Sequence, residues 1–303
     1  MKTQKTMTIL LLVLLTVGTS LFAQAEKEKE QKFAFDAEKK IELDLILGYC
    51  QIQPSKDAKT HLTVRYTYPD KDFQVEIRER GPAVTIEEKY LRNDPKGYAD
   101  WFLAVPKGTE IEFNSATGGL DINDVSIEIE ASSGTGNMTI EGSSGDFEIS
   151  TGTGRIEVSS STGEFELSSG TGRITIDKTN GELEASTGTG KVIASQITIE
   201  NSAELSSGTG SVELAAPQGE DFDVTLSSGT GNATLDMQGM QLKGYYEFST
   251  NARHGKIVCP VKFDGEEYYN GDESGSVRKW FQREGEYPRY YIETGTGKAS
   301  LKK

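Results

Sequence analysis

Histidine and cysteine are scarce in this 303-residue chain, with two of each, and their scarcity limits the chemistry it can support. His61 and His254 stand among charged or polar neighbours, so we expect ordinary surface side chains rather than a catalytic pair. The sequence has neither the Cys/His spacing of a metal site nor the glycine-rich loop that cradles a phosphate. We therefore expect no catalytic residues, no metal site and no cofactor.

Long apolar runs are absent after residue 23, so no later segment is long enough to span a bilayer. Before that point, Lys2 and Lys5 precede an apolar run from Met7 to Ala23, and Ala23-Gln24-Ala25 fits a small-residue cleavage site. This pattern predicts a secretory signal peptide over residues 1–25. A single membrane anchor is the alternative, but the run is short for a spanning helix and includes Thr, Gly and Ser towards its end. No cysteine lies near the cleavage site, which argues against a lipoprotein anchor.

Basic residues are outnumbered by acidic ones. Signal removal takes away Lys2 and Lys5 and leaves 30 Lys and Arg against 47 Asp and Glu, a net charge of −17. Nucleic acids and anionic lipids bind basic surfaces, so this balance argues against both as partners. The charged residues 26–32 predict a flexible leader on an exported protein, located in the periplasm, at the cell surface or outside the cell.

A short repeat fills residues 115–236. Glycines recur every nine residues, and every second unit ends in Ser/Thr-Gly-Thr-Gly, so the true period is eighteen residues. A fixed short period of this kind is typical of a solenoid, in which each coil buries its apolar face against the next. The nine-spaced glycines are Gly136, Gly145, Gly154, Gly163, Gly172, Gly181 and Gly190.

Within each unit, apolar and polar residues alternate as in a strand with one buried face. Two strands and two glycine-containing corners, where we expect glycine to permit φ > 0, close one coil. We therefore predict an all-β, single-stranded β-solenoid (β-helix) over residues 33–303, with 18-residue coils, two main sheets and right-handed crossovers. The predicted inward pairs include Met138/Ile140, Phe147/Ile149, Ile156/Val158, Phe165/Leu167 and Ile174/Ile176.

The repeat becomes irregular towards both ends of the chain. Residues 33–114 alternate less strictly and are interrupted by proline, which predicts larger N-terminal coils with a looser cap. Residues 237–303 predict C-terminal coils, because Gly295-Thr296-Gly297 restores the repeat near the end. Within them, the polar and aromatic residues 264–288 predict a long loop between the last two coils.

Both cysteines fit the same apolar slots. Cys50 and Cys259 each occupy an apolar position of a Gly-x-apolar-x-apolar unit, which predicts buried thiols that behave as small hydrophobic groups. The two slots should lie near opposite ends of the solenoid, far beyond the ~7 Å between Cα atoms that a disulfide can bridge. We predict that both cysteines are unbridged, although export would permit a disulfide.

The entry into the regular repeat resembles a known bacterial family. Val105-Pro106-Lys107-Gly108-Thr109-Glu110-Ile111 runs into Ser115-Ala116-Thr117-Gly118-Gly119-Leu120-Asp121-Ile122, and the Ser-Gly-Thr-Gly coils follow. These residues are similar to the bacterial putative-adhesin family, a β-helical repeat domain of unknown function. The resemblance covers nearly all of the mature chain and implies an exported, non-catalytic β-helix of the cell surface or periplasm. Some similar proteins lie beside envelope-stress regulators.

One set of outward residues is acidic and should stack into a strip. Glu130, Glu148, Glu166 and Glu184 are eighteen residues apart, so they should form a column on one face. The strip fits a solvated face that resists aggregation, or a weak binding strip for cations or a basic partner. A calcium roll is not expected, because its ligand positions fall on Met138, Ile156, Ile174 and Val192, which are predicted core residues.

Aromatic residues are sparse in the repeats and dense after Tyr245. Tyr268, Tyr269, Trp280 and Phe281 lie in the predicted loop. They fit either a hydrophobic end cap or an exposed lip that binds a sugar or a peptide.

These patterns favour an exported, adhesin-like binding or scaffold module whose partner is an extracellular glycan or protein. An envelope-stress-associated periplasmic protein is one alternative. A polysaccharide-active β-helix enzyme is another, but it needs carboxylates and basic residues clustered in one groove, whereas the repeats give uniform columns. Ice binding by flat threonine-bearing coils is disfavoured, because the regular threonines fall at corners.

Overall fold

The structure, a computed structural model, describes residues 27–36, 40–92, 96–269 and 275–303. These residues form 27 β-strands and no helix. The strands belong to two sheets, of 13 and 14 strands, that are mostly parallel. The predicted all-β solenoid with two main sheets is therefore confirmed. The predicted signal peptide, residues 1–25, lies outside the described residues.

The strands are short in one sheet and long in the other through the regular repeat. The N-terminal strands are β1 (Lys29–Asp36), β2 (Lys40–Leu47), β3 (Tyr49–Pro54), β4 (Lys59–Tyr66), β5 (Phe73–Arg80), β6 (Ala83–Tyr90), β7 (Ala99–Val105), β8 (Thr109–Thr117) and β9 (Leu120–Asn123). The central strands are β10 (Ser126–Thr135), β11 (Met138–Glu141), β12 (Ser144–Thr153), β13 (Ile156–Ser159), β14 (Thr162–Thr171), β15 (Ile174–Asp177), β16 (Asn180–Thr189), β17 (Val192–Ser195), β18 (Thr198–Ser207), β19 (Val212–Ala215), β20 (Asp223–Ser228) and β21 (Ala233–Asp236). The C-terminal strands are β22 (Gly244–Asn251), β23 (Lys256–Val258), β24 (Gly265–Tyr269), β25 (Ser276–Arg283), β26 (Arg289–Thr294) and β27 (Lys298–Lys302).

The order of the strands in each sheet shows how the coils stack. The first sheet runs β1-β4-β7-β3-β9-β11-β13-β15-β17-β19-β21-β27-β23. The second sheet runs β24-β25-β22-β26-β20-β18-β16-β14-β12-β10-β8-β2-β6-β5. Each regular coil therefore gives one long strand to the second sheet and one four-residue strand to the first.

The predicted eighteen-residue register is confirmed in both sheets. Ile156 pairs with Ile174 across β13 and β15, and Phe147 pairs with Phe165 across β12 and β14. The two phenylalanine rings stack with centroids 5.2 Å apart and planes 5° apart. Because like side chains lie over one another in this way, the inward rows form a continuous core that no single coil could bury.

The glycines of the Ser/Thr-Gly-Thr-Gly corners serve a different purpose from the one expected. Of those between Gly134 and Gly190, only Gly190 has a positive φ, at 157°, which is close to extended. The coils instead approach so closely that a side chain would not fit: a Cβ on Gly172 would lie 1.7 Å from the carbonyl oxygen of Gly154. The hydroxyl of the Ser or Thr just before each Gly-Thr-Gly segment donates to the preceding coil. Ser169, for example, donates to that same Gly154 carbonyl at 3.1 Å.

The opposite corner of each coil does contain glycines with positive φ, as expected: φ is 133° to 141° at Gly145, Gly163 and Gly181. The sequence did not indicate a second, left-handed residue at this corner, which has φ between 51° and 62° in five successive coils, although only one of the five is glycine. These residues are Asp124, Gly142, Ser160, Lys178 and Gln196.

The N-terminal end is closed by antiparallel strands. β1 pairs with β4, β4 with β7, and β5 with β6, so the stack does not end on an uninterrupted parallel edge. The predicted flexible leader, residues 26–32, is wrong for residues 29–32. Those residues lie in β1, because Gln31 and Lys32 pair in register with Val64 and Thr63.

The C-terminal end has an order that differs from the chain order. β26 and β27 lie between the coil of β20 and β21 and the coil of β22 and β23, so the last segment of the chain is inserted beneath an earlier one. The predicted long loop at residues 264–288 is also wrong in part. β24 and β25 pair antiparallel with each other, and β25 pairs with β22, which extends the second sheet.

The two cysteines are free, as predicted, but they differ in burial. Cys50 is fully buried, whereas Cys259 is half-buried, which corrects the prediction of two buried thiols. The reason is position, since Cys259 directly follows β23, the outermost strand of the first sheet. Burial raises the pKa of both thiols.

A thiol titration should separate the two cysteines. In native protein we expect a thiol reagent to modify Cys259 and to spare Cys50, because Cys50 has no exposed surface. Denatured, unreduced protein should give two free thiols. A count of zero after denaturation would show a disulfide and contradict the assignment of two free cysteines.

Candidate functional site: the outer face of the second sheet

The outer face of the second sheet carries two columns of carboxylates, which we call the acidic columns. The register places Glu130 beside Glu148, Glu148 beside Glu166, and Glu166 beside Glu184, so the predicted strip residues do stack. One column consists of Glu110, Glu128, Asp146, Glu164 and Glu182. The other consists of Glu112, Glu130, Glu148, Glu166, Glu184 and Glu204.

A shallow groove of about 490 Å³ runs between the acidic columns. Its floor is formed by the strand segments at Ile129, Phe147 and Phe165, whose side chains point inward and are buried. Side chains two apart on a strand share a face, so the two columns stand as parallel walls.

Both ends of the groove have polar partners for the carboxylates. At the N-terminal end, Lys40 Nζ lies 3.0 Å from Glu112 and 3.4 Å from Glu110. At the other end, the Ser202 hydroxyl and the Asn201 amide donate to Glu182 at 2.7 and 3.1 Å and lower its pKa. A strand irregularity between Gly181 and Leu183 brings these two donors opposite Glu182.

The acidic columns do not have the geometry of a metal cage. Among the described residues, no group of three or more His, Cys, Asp or Glu could hold a metal ion. Neighbouring carboxylates on parallel strands are about one strand spacing apart, and they lack the loop that wraps a calcium ion. The arrangement supports a diffuse attraction for positive charge.

Removing charge from one column should stabilise the protein at low salt. We expect the triple substitution Glu148→Gln, Glu166→Gln and Glu184→Gln to leave the melting temperature equal or higher, because like charges at about 4.8 Å repel by roughly 1 kcal/mol per pair even in bulk water. Its salt dependence should be flatter than that of the wild type, and calcium should bind weakly, at millimolar concentration or above.

The matched control is the triple substitution Ser150→Ala, Ser168→Ala and Ser186→Ala in the neighbouring uncharged column. It should keep the wild-type salt slope. A markedly less stable glutamine variant, or tight calcium binding at one defined position, would show that the columns form a dedicated ion site.

The predicted aromatic lip is divided by the structure into an inward and an outward set. Phe281 is fully buried and stacks on Tyr246 with ring centroids 4.6 Å apart, so its place in an exposed lip is wrong. Trp280, the preceding residue, must point to the other face and is half-buried. Tyr268 and Tyr269 are exposed by 59% and 41% on the edge strand β24.

Two outward tyrosines near this set were missed from the sequence. Tyr245 on β22 and Tyr291 on β26 have ring centroids 6.2 Å apart. They line an open groove of about 510 Å³ together with Arg278, Gln282 and Arg289, among others. The signal was present in the pairs Tyr245-Tyr246 and Tyr290-Tyr291, because one of two adjacent strand residues must face outward.

The buried carboxylate of Glu88, away from the outer face, has a structural role. Glu88 Oε2 accepts hydrogen bonds from the backbone N–H groups of Ile46 and Leu47 at 2.6 and 2.7 Å, and Oε1 accepts one from the Tyr90 hydroxyl at 2.7 Å. Burial raises the pKa of Glu88, and these three donors lower it in part. Its partners are all structural groups, so the perturbed pKa does not mark a reaction centre.

The profile of the family described as Toastrack DUF4097 matches residues 38–258, well over half of the chain. This chain belongs to the Toastrack DUF4097 family. The resemblance to bacterial putative-adhesin domains is thereby confirmed. No curated protein matches the chain.

Several solved structures are similar to this Toastrack chain at low identity. A putative adhesin from Bacteroides fragilis is 13% identical, with 91% of this chain and 98% of that chain covered and a TM-score of 0.41. A putative adhesin from Parabacteroides merdae is 11% identical, with 92% and 98% covered and a TM-score of 0.40. A putative cell adhesion protein from Clostridium sporogenes is 11% identical, with 91% and 99% covered and a TM-score of 0.31. Likenesses this low say nothing about what this chain binds.

In the described part of the chain, no helical segment has the length and apolar character that crossing a membrane requires.

Proposed function

We propose that this chain is an exported, non-catalytic envelope protein that acts as an adhesin-like binding or scaffold module. The observation that carries the proposal is the outer face of the second sheet. On it, outward side chains repeat in straight columns from β8 to β18, six successive strands of the stack. A surface that repeats along one axis suits an extended partner that makes the same contact many times.

The uniformity of this face supports binding over catalysis. Acid–base chemistry with two carboxylates needs environments that push their pKa values apart. Within the columns, Glu148 and Glu166 each have a carboxylate of the same column on both sides and a neighbouring acidic column beside them. Their surroundings are therefore nearly the same, which gives neither one the role of acid or base.

The rigidity of the coils supports a display role. Each coil is tied to the previous one by two parallel strand pairings and by a corner hydroxyl, as in the bond from Thr187 Oγ1 to the Gly172 carbonyl at 3.2 Å. A rigid face avoids the conformational entropy that a mobile surface loses on binding.

Export is supported by the N-terminal sequence pattern, and its test is the N-terminus of the mature protein. We expect protein recovered from the bacterial envelope or medium to begin at Glu26, because cleavage should follow Ala25. Terminal sequencing of the purified product measures this directly.

The matched control lacks residues 2–25 and should stay in the cytoplasmic fraction. Purified mature chain should also leave soluble polysaccharides uncut, with no rise in reducing ends. Retention of the full-length chain in the cytoplasm, or release of reducing ends, would overturn the proposal.

A further inference from the structure

We infer that the outward aromatic platform formed by Tyr291, Tyr245 and Trp280 is a binding site for a neutral polysaccharide segment. This deepens the proposed function and rests on it, since it names the class of ligand that the exported module holds. The platform occupies three neighbouring strands of the second sheet, β26, β22 and β25. It lies on the same face as the acidic columns.

The register places Tyr245 and Tyr291 on adjacent strands, with Trp280 one strand further out, at the edge of the platform. Glu247 pairs with Tyr291 on one side and with Trp280 on the other, and Tyr245 pairs with Gln282. The Tyr245 and Tyr291 rings have centroids 6.2 Å apart and planes inclined by 58°, so they offer two adjacent surfaces that are tilted towards each other. From β8 to β18 none of the outward positions of this sheet carries an aromatic side chain, so the aromatic surface begins only beyond that region.

Capping the solenoid does not explain these three rings, because a separate inward set closes the core. Tyr246, Phe281 and Tyr290 are almost fully buried, and Tyr246 stacks on Phe281 and on Tyr290 at 4.6 and 4.7 Å. Side chains on alternate positions of a strand point to opposite faces. Tyr245 and Tyr291 are therefore not needed for the cap, whereas Trp280 also covers the backbone of Gly265 on β24. Partly exposed rings offer contact area for a ligand.

The polar groups beside the rings suit hydroxyl groups. Arg289 lies over the Tyr287 ring at 4.3 Å, and the planar side chains of Arg289 and Gln282 both line the groove. Planar groups with several donors or acceptors in a fixed fork can engage two neighbouring hydroxyls at once. The rings can meanwhile stack on the apolar face of a sugar.

The charge of the groove lining and of the surface around it favours a neutral glycan. The groove holds two arginines, Arg278 and Arg289, and two glutamates, Glu247 and Glu286, so its lining has no net charge. Glu247 is already engaged, since the Tyr245 hydroxyl donates to it at 2.7 Å and Arg278 lies 3.5 Å away. Beyond the groove, the acidic columns and the overall excess of Asp and Glu repel polyanions.

The test is affinity electrophoresis of the mature chain through gels that contain a β-glucan, a mannan, dextran, polygalacturonate or polylysine. We expect at least one of the three neutral polysaccharides to retard the protein. The double substitution Tyr245→Ala and Tyr291→Ala should weaken that binding at least tenfold. Tyr268→Ala, which removes an exposed ring outside the groove, should bind as wild type and serves as the matched control.

A second measurement does not depend on the double substitution. The chain has two tryptophans, and Trp101 is fully buried, so Trp101→Phe leaves Trp280 as the only fluorescent tryptophan. The same neutral polysaccharide should change the emission of Trp280 in a saturable way. The triple variant Glu148→Gln, Glu166→Gln and Glu184→Gln, made in the same Trp101→Phe background, should show an equal change.

Three results would overturn the inference. They are no retardation by any neutral polysaccharide, equal binding by the double tyrosine variant, or binding only to polygalacturonate or polylysine. Because the purified chain is used, these results are independent of the Glu26 terminus that tests export.

Discussion

Replacing Ile174 by aspartate is expected to unfold much of the central solenoid at temperatures where the wild type is folded. Ile174 has no exposed surface and lies between Ile156 and Val192 in the first sheet. A carboxylate there has neither water nor a partner, and burial of an unpaired charge costs several kcal/mol. Ile174→Ala removes packing alone and should cost less, about 2–5 kcal/mol. Chemical denaturation of the two variants measures the difference.

The matched control for this substitution is the next residue in the chain. Thr175→Asp places the same carboxylate on the outward side of β15, where we expect a loss of about 1 kcal/mol or less. If Ile174→Asp were as stable as Thr175→Asp, the strand register would be shifted by one residue and the inward and outward faces exchanged.

Adding a single methyl group at Gly172 is expected to be the second most damaging change. A Cβ at this position would lie 1.7 Å from the carbonyl oxygen of Gly154, and 2.9 Å from the Ser169 hydroxyl that binds the same oxygen. The backbone of two stacked coils must move apart, so we expect Gly172→Ala to cost about 3 kcal/mol or more. The free energy of unfolding in urea measures this loss.

Gly81→Ala is the control that distinguishes the cost of a Cβ collision between coils from the cost of an unfavourable φ angle. Gly81 has φ of 65°, but a Cβ there would meet nothing within 4 Å. Its substitution should cost only the left-handed conformation, about 1–2 kcal/mol. Equal losses at Gly81 and Gly172 would contradict the close packing of the coils, because Gly172 has no positive φ and only the collision distinguishes the two sites.

The regular coils could be predicted because their pattern is local and repeated. The alternation at Ile156/Val158 and Ile174/Ile176 fixes which side chains point inward, and the eighteen-residue period fixes which of them stack. The same arithmetic placed Glu148 over Glu166 on the outer face. No long-range information was needed for either result.

The ends of the solenoid could not be predicted in the same way. Insertion of β26 and β27 beneath β22 and β23 depends on pairing between segments that are far apart in sequence. The period stops before these segments, so the sequence offers no register for them. The pairing of Lys29–Asp36 with β4 is similarly non-local, and its charged residues resembled a solvated leader.

The aromatic site was predicted only in part, because the sequence did not show which of two adjacent strand residues faces the core. Phe281 and Trp280 are adjacent, and composition alone could not show which of them faces the core. The structure assigns Phe281 to the core and pairs Trp280 with Glu247 on the outer face. Tyr245 and Tyr291 join the outer set because their strands pair in the register given by β22 and β26.

The central claim is that the outer face of the second sheet is continuous from the acidic columns to the aromatic platform. The most direct measurement of this claim is a distance along that face. Spin labels at Ser132 and Ser249, in a chain with both cysteines replaced by serine, are separated by seven strand spacings in the second sheet. Pulsed electron paramagnetic resonance should give one narrow distribution centred at about 34 Å, since strands are about 4.8 Å apart. A broad distribution, or a centre well below about 25 Å or above about 45 Å, would contradict a continuous stacked face, given the strand spacing.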